Sequence, residues 1–292
     1  MMRYKFLIKA IDEYTKCKAT AQALKIGSTG VWRYLRNEDG RITGSTLTYD
    51  NGTILKYNED RELEEITYNG ETISYMSNQK EADEFFKDQK EKLIEKYGQE
   101  KYDKFSQFAY MYHTSMHEPI NTSMREKSIS YLKDYMENTM RFDKEDCDFI
   151  INNVDGFESM LEGNDLSDYP SFFTIRGVGG LYDTEKITKK IVHDKGFNSQ
   201  SVGMSSVDIM DIFGVDYDTD ESGWLIVTPY LGGNNVGKGA YIENAIGDGY
   251  FQIYGDSYRS GELEFLAPPN QSFMRTIIDE KNRIIIQEPY EP

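Results

Sequence analysis

The chain has 292 residues, enough for two folding units at roughly 150 residues each. With 38% hydrophobic and 28% charged residues, and no apolar run near the ~18 that a membrane helix needs, it reads as a soluble globular protein; disordered, collagenous and membrane-spanning classes are excluded. Fifty acidic residues against 33 basic ones, a net charge of −17, argue against wholesale binding to nucleic acid or anionic membrane.

The charge is uneven. Residues 1–48 hold nine basic and four acidic side chains, net +5, and the remaining 244 hold 24 and 46, net −22. A basic head on an acidic body indicates two modules with different partners. Cys17 and Cys147 lie 130 positions apart with no metal-ligand spacing around them, so two reduced thiols and no metal site are expected. Residues 1–9 carry charge but no apolar stretch of the ~7–15 residues of a secretory signal. The expected location is therefore the cytoplasm of the producing or infected cell, with no membrane partner.

In chain order, residues 6–35 read as short helices, with Ala10, Tyr14, Cys17, Ala21, Leu24 and Ile26 at helical spacing. Gly27 offers a tight turn, Ser28 a cap, and Val31, Trp32 and Leu35 the anchors of a second helix. This has the form of a helix-turn-helix, with DNA contact through residues 19–36 and Thr29, Arg33 and Arg36 facing the major groove. A helical hairpin with no DNA role has the same shape. Residues 1–40 are read as this basic head.

From Arg41 the period changes to two. Asn51-Gly52 and Asn69-Gly70 separate runs rich in Thr, Ile, Leu and Tyr, which predicts two β-hairpins, a small spacer sheet, within a module or linker over residues 41–80. A charged helix over residues 77–97, with Phe85, Phe86, Leu93 and Ile94 on one stripe, opens the third unit, residues 81–292. Helices continue to about Leu161. Strand patterns then follow at 172–175, 224–228, 239–242, 249–253, 262–266 and 283–286. Helices first and strands later predict an α+β domain. The glycine cluster Gly232–Gly239 lacks the spacing of a Walker or dinucleotide loop.

Three segments of this unit could carry chemistry. Phe173-Thr174-Ile175-Arg176-Gly177 is a strand ending in an arginine that could clamp a diphosphate. Ser199-Gln200-Ser201 places two hydroxyls on one side of an extended chain, and Glu262-Leu263-Glu264 does the same with two carboxylates. Carboxylates on one face repel, so one of them needs a hydroxyl or a cation as partner.

Together these segments resemble the arginine-specific mono-ADP-ribosyltransferases of bacterial exotoxins and bacteriophages, marked by an Arg, a Ser-x-Ser and a Glu-x-Glu. Tyr112 followed by Ile120-Asn121-Thr122-Ser123-Met124-Arg125 looks like the family's tyrosine and Ile-Asn-x-x-Leu-Arg helix, and Lys238-Gly239-Ala240-Tyr241-Ile242 has the form of a family strand. The order holds, with 23 residues from Arg176 to Ser199 and 65 from Ser199 to Glu264. Met124 stands where leucine is usual, Gln200 where threonine is, and Ala267-Pro268-Pro269-Asn270 replaces Leu-Pro-x-Gly. None of these departures removes a reacting group.

The resemblance implies N-terminal helices packed on two facing antiparallel sheets with NAD, a substrate, between them and no metal. It implies that Arg176 and Gly177, with Asn121, Arg125 and Tyr112 from the helix, bind NAD. Ser199 and Ser201 would also bind NAD, Ser199 orienting Glu264 and keeping it ionised. Glu264 would hold the ribose hydroxyls and stabilise the cation formed as nicotinamide leaves. Glu262 would align and deprotonate the acceptor guanidinium, and Tyr254 and Tyr258 would recognise the target. His113, His117 and His193 are expected to be structural or surface residues. The activity implied is transfer of ADP-ribose from NAD to an arginine of a target protein, with the basic head directing the enzyme to host transcription machinery. Alternatives are a transferase acting on nucleic acid, a catalytically inactive DNA-binding regulator and an injected toxin.

Overall fold

A computed structural model describes residues 29–126, 128–179, 189–213, 223–233, 236–243 and 263–291. Five strands come first: β1 (Val31–Arg36), β2 (Ile42–Thr48), β3 (Ile54–Asn58), β4 (Leu63–Tyr68) and β5 (Glu71–Ser74), an antiparallel meander in chain order. The Asn69-Gly70 turn has φ 51° and 84°, the paired positive values that let a two-residue hairpin follow the twist of its strands.

β1 corrects the helix-turn-helix. Residues 31–36 pair antiparallel with β2, Trp32 opposite Leu47 and Tyr34 opposite Ser45, so the expected recognition helix is a strand. Its Val-Trp-Arg-Tyr-Leu sequence suits a pleated surface as well as a helix. Tertiary contacts decide for the strand: the Gly30 amide donates to Asp279 Oδ2 at 2.9 Å and Trp32 Nε1 to Asn282 Oδ1 at 2.9 Å. The Trp32 ring also lies against Tyr57, with centroids 5.3 Å apart. Arg33 and Arg36 therefore sit on a sheet edge. The first helix expected in the head lies outside the described residues.

Strands β2 to β5 turn Leu47, Leu55, Leu63, Ile66 and Ile73 inward by their two-residue alternation, and these share one core with Phe173, Ile175, Leu225, Val227, Ile277 and Ile286 of the later strands.

A helical layer follows: α1 (Gln79–Phe85), α2 (Gln89–Tyr97), α3 (Gln99–Met111), α4 (His117–Glu126), α5 (Ile129–Asp134) and α6 (Lys144–Gly163). Asn78 caps α1 by accepting from the Glu81 amide, and Asp143 caps α6 through the Asp146 amide. Between α3 and α4 the helix widens into a single π-helical turn, Tyr112–Met116. The layer packs through aromatic rings, with Phe157 4.9 Å from Phe105, 4.6 Å from Phe108 and 5.1 Å from Phe197. Among the described residues no helix is long and apolar enough to cross a membrane.

The remaining elements are β6 (Phe172–Val178), β7 (Ile191–His193), β8 (Asn198–Ser201), α7 (Ser206–Phe213), β9 (Trp224–Tyr230), β10 (Ala240–Tyr241), β11 (Glu264–Ala267), β12 (Ser272–Asp279) and β13 (Ile284–Tyr290). The chain is α+β, as its pattern predicted. The eight strands run in the order β10-β11-β8-β6-β9-β13-β12-β7. They form two groups that, among the described residues, are joined only where Ile175 of β6 pairs with Ser201 of β8. One neighbouring pair, β9 with β13, is parallel, where only antiparallel pairing was expected. At the edge strand β10 the buried Gln89 side chain substitutes for a further strand, donating to the Tyr241 carbonyl and accepting from its amide at 2.9 and 3.0 Å.

Candidate active site

Where two strand groups meet through one residue pair, their strands splay, and a cleft of about 370 Å³ opens between that junction and the start of α4. Tyr112, Asn121, Arg125, Arg176, Gly177, Ser199, Ser201 and Glu264, all singled out in the sequence, line it together. Glu262, Tyr254 and Tyr258 lie outside the described residues.

Strand register fixes the carboxylate. Glu264 lies opposite Ser201 and Leu266 opposite Ser199, so both hydroxyls and the carboxylate share one face of the sheet. Ser199 donates a hydrogen bond to Glu264. Ser201 is used otherwise: its oxygen accepts from the amides of Gly203 and Met204, at 3.4 and 3.0 Å, and closes the turn after β8. Just before Glu264, Leu263 adopts φ 49°, a left-handed conformation that costs a residue with a Cβ about 1–2 kcal/mol. Burial of its side chain and the 3.0 Å hydrogen bond from the Val202 amide to its carbonyl hold the bend that leads the chain into β11.

A histidine completes this group, contrary to the expectation that no imidazole enters. His113 Nδ1 lies 2.6 Å from Glu264 Oε2, with the two side chains only 9% and 6% exposed. The π turn that carries His113 also carries Tyr112, and such turns re-aim side chains within a helix. Burial pushes the Glu264 carboxyl up, but the hydrogen bond and charge of His113, the Ser199 hydroxyl and the charge of His117 outweigh it and hold the group below the usual carboxylate range. One signal was present in the sequence. The chain has three histidines, and two of them sit four apart in the segment that carries the helix motif. The third, His193, hydrogen-bonds Ser272 at 2.7 Å across the β7–β12 pair.

The helix side of the cleft is tied to the sheet. Asn121 Nδ2 donates to the buried Tyr112 hydroxyl at 2.9 Å, and its Oδ1 accepts from the Phe197 amide at 2.8 Å. Gly196 permits that approach, since a Cβ there would lie 2.8 Å from Asn121 Oδ1. Asn121→Ala is expected to leave the buried Phe197 amide unpaired and to lower unfolding stability by about 1–3 kcal/mol, read from denaturant melts. Arg125 donates from Nε and Nη2 to the two carboxylate oxygens of Asp194 at 3.1 and 3.2 Å. Arg176, by contrast, pairs with no carboxylate among the described residues.

No family model and no curated protein matches the chain. Among solved structures it is similar to an ADP-ribosyltransferase from Clostridium botulinum, with 19% identity and a TM-score of 0.44 over 76% of this chain and 100% of that one. It is also similar to an S. aureus protein solved with NAD, at 14% identity and 0.44 over 75% and 99%. For the enzymatic component of the C2-toxin from Clostridium botulinum the figures are 16% and 0.42 over 90% and 60%.

Proposed function

We propose that the chain is a mono-ADP-ribosyltransferase that moves ADP-ribose from NAD to an arginine side chain of a target protein and releases nicotinamide. The observation that carries this reading is the meeting of Arg176, Ser199 and Glu264 in one cleft, with Glu264 held ionised. NAD is the substrate implied: a guanidinium with no carboxylate partner among the described residues suits its diphosphate, and a buried anion suits the positive charge that develops on its ribose.

The reaction divides among these groups. The bond from ribose C1′ to the nicotinamide nitrogen breaks, and its electron pair neutralises the pyridinium. The ribose becomes an oxocarbenium-like cation, which the Glu264 carboxylate stabilises while Ser199 keeps it turned into the cleft. A guanidine nitrogen of the acceptor then bonds to C1′ and sheds a proton. That proton goes to Glu262, because a guanidinium with a pKa above about 12 is not a nucleophile until a base takes its proton. Arg125 has Asp194 as its partner, so Arg176 supplies the first grip on the diphosphate. β1 takes the place of the recognition helix expected over residues 31–36, so the reading of a target in the transcription machinery rests on the charge of the basic head alone.

Incubation with labelled NAD and a bacterial lysate tests this function. The wild type should label a protein. Glu264→Gln should lose both labelling and nicotinamide release, and Glu262→Gln should lose labelling while still hydrolysing NAD. A wild type that binds NAD without releasing nicotinamide would overturn the proposal.

A further inference from the structure

The transfer chemistry leaves unassigned one ionisable group in the cleft and one buried outside its lining. His113, on the π turn, meets Glu264 at 2.6 Å with both side chains buried. A second carboxyl, Glu243, follows β10 and is 7% exposed; no side chain among the described residues hydrogen-bonds its oxygens, and only the backbone amides of Glu243 itself and of Glu264 favour its ionised form. An ionised carboxylate in that position is costly unless a cation lies nearby. Protonated, His113 would be that cation, for its charge favours the ionised form of Glu243 as well as that of Glu264.

We propose, on the reading of the site given above, that His113 is a positioning residue for Glu264, pinning one carboxylate oxygen so that the rest of the group faces the substrate, and that it acts as a cation shared by two buried carboxylates, Glu264 and Glu243. Three observations support this. The hydrogen bond is short and shielded from water, so it is not weakened as surface ion pairs are. Burial of Glu264 alone would favour its neutral form, and the opposing contributions come from His113, Ser199 and His117, with His113 the largest. Burial and, to a lesser extent, the Glu264 charge push Glu243 up to about 7 against the opposing charge of His113, as expected for the second of two acids near one cation.

Other ionisable groups face the same space. From the π turn and α4 these are Tyr112, His117, Glu118 and Arg125, and from β6 it is Arg176; the His117 charge also favours ionised Glu264, but less than His113 does. Arg125 is held by Asp194, and the Tyr112 phenol is pushed up by burial and by the Glu264 charge, so neither replaces His113 beside the carboxylate.

Two variants at position 113 test the inference. In His113→Asn the amide nitrogen stands where Nδ1 stood, so a donor is kept and the charge is lost; His113→Leu removes both. The Glu264 carboxyl is followed by ¹³C NMR on glutamate-labelled protein, with the resonance assigned from its absence in Glu264→Gln. Loss of a nearby opposite charge should move the Glu264 titration, and the acid limb of NAD hydrolysis with it, upward by roughly one to three on the pH scale in both variants. Turnover near neutral pH should fall about 10- to 100-fold in His113→Leu and less in His113→Asn. In Glu243→Gln the His113 imidazole should lose its proton at lower pH than in the wild type. A Glu264 titration unchanged in both position-113 variants would overturn the positioning role, and an unmoved imidazole in Glu243→Gln would overturn the shared cation. The carboxyl titration needs no turnover, so it decides the role of His113 even if the wild type releases no nicotinamide, a result that would instead overturn the transferase reading.

Discussion

Glu264→Gln is expected to slow nicotinamide release from NAD about 100- to 1000-fold, the usual loss when a preorganised group facing developing charge is removed. Glutamine keeps the size and much of the hydrogen bonding of the side chain, so Ser199 still has an acceptor and β11 keeps its register with β8. What disappears is the negative charge. The ground state of NAD carries its positive charge on the nicotinamide ring, whereas the transition state shifts it onto the ribose, where Glu264 waits. The defect should therefore fall on kcat far more than on KM. The wild-type rate should persist as pH falls from neutral through the ordinary carboxylate value of 4.5, because His113 and Ser199 hold the Glu264 carboxyl lower than that. The rate is lost only as pH drops through the lowered value; the ionised form's contribution to stability, present above the ordinary value, is lost over the same window. Nicotinamide release and circular dichroism, measured on one preparation, check both parts. A variant that stays folded and retains more than about a tenth of the rate would show that the charge is not the source of catalysis.

What was legible in the sequence follows from which physical signals are local. The hairpins of β2 to β5 were readable because alternation and Asn-Gly turns are written within a few residues, and the positive φ values at Asn69 and Gly70 meet that chemistry directly. Arg176, Ser199 and Glu264 lie far apart in the chain and were found through their order and spacing; the structure gathers them at the β6–β8 junction. Two failures have a common cause. Residues 31–36 suit a helix or a strand equally well, and the choice is made by Asp279 and Asn282, about 250 positions away. His113 looks like any histidine on a helix until a π turn brings it to a carboxylate 151 positions on. β12 was also overlooked, because its polar residues interrupt the alternation; Arg275 and Asp279 of that strand are buried.

Phe86→Ala is expected to destabilise the fold by about 3–5 kcal/mol and to lower the melting temperature by roughly 6–20 °C. Phe86 is fully buried directly after α1, and its ring meets Tyr241 of β10 at 5.2 Å, Phe172 of β6 at 5.4 Å, Tyr169 at 5.6 Å and Phe265 of β11 at 6.2 Å. It thus joins strands from both sides of the junction at which the cleft opens. The site stands on these contacts, since Phe265 is the next residue after Glu264, and Tyr241 belongs to the strand that pairs with β11. Alanine leaves a cavity that the surrounding rings can fill only by shifting β10 and β11. The loss should therefore exceed that of a partly buried phenylalanine such as Phe85, and nicotinamide release by the remaining folded protein should fall as well. Phe86→Leu retains most of the volume and should recover much of both losses. Equal melting temperatures for the alanine variant and the wild type would mean that the two strand groups are held together elsewhere, and a normal rate in a clearly destabilised variant would separate the packing of β11 from the placement of Glu264.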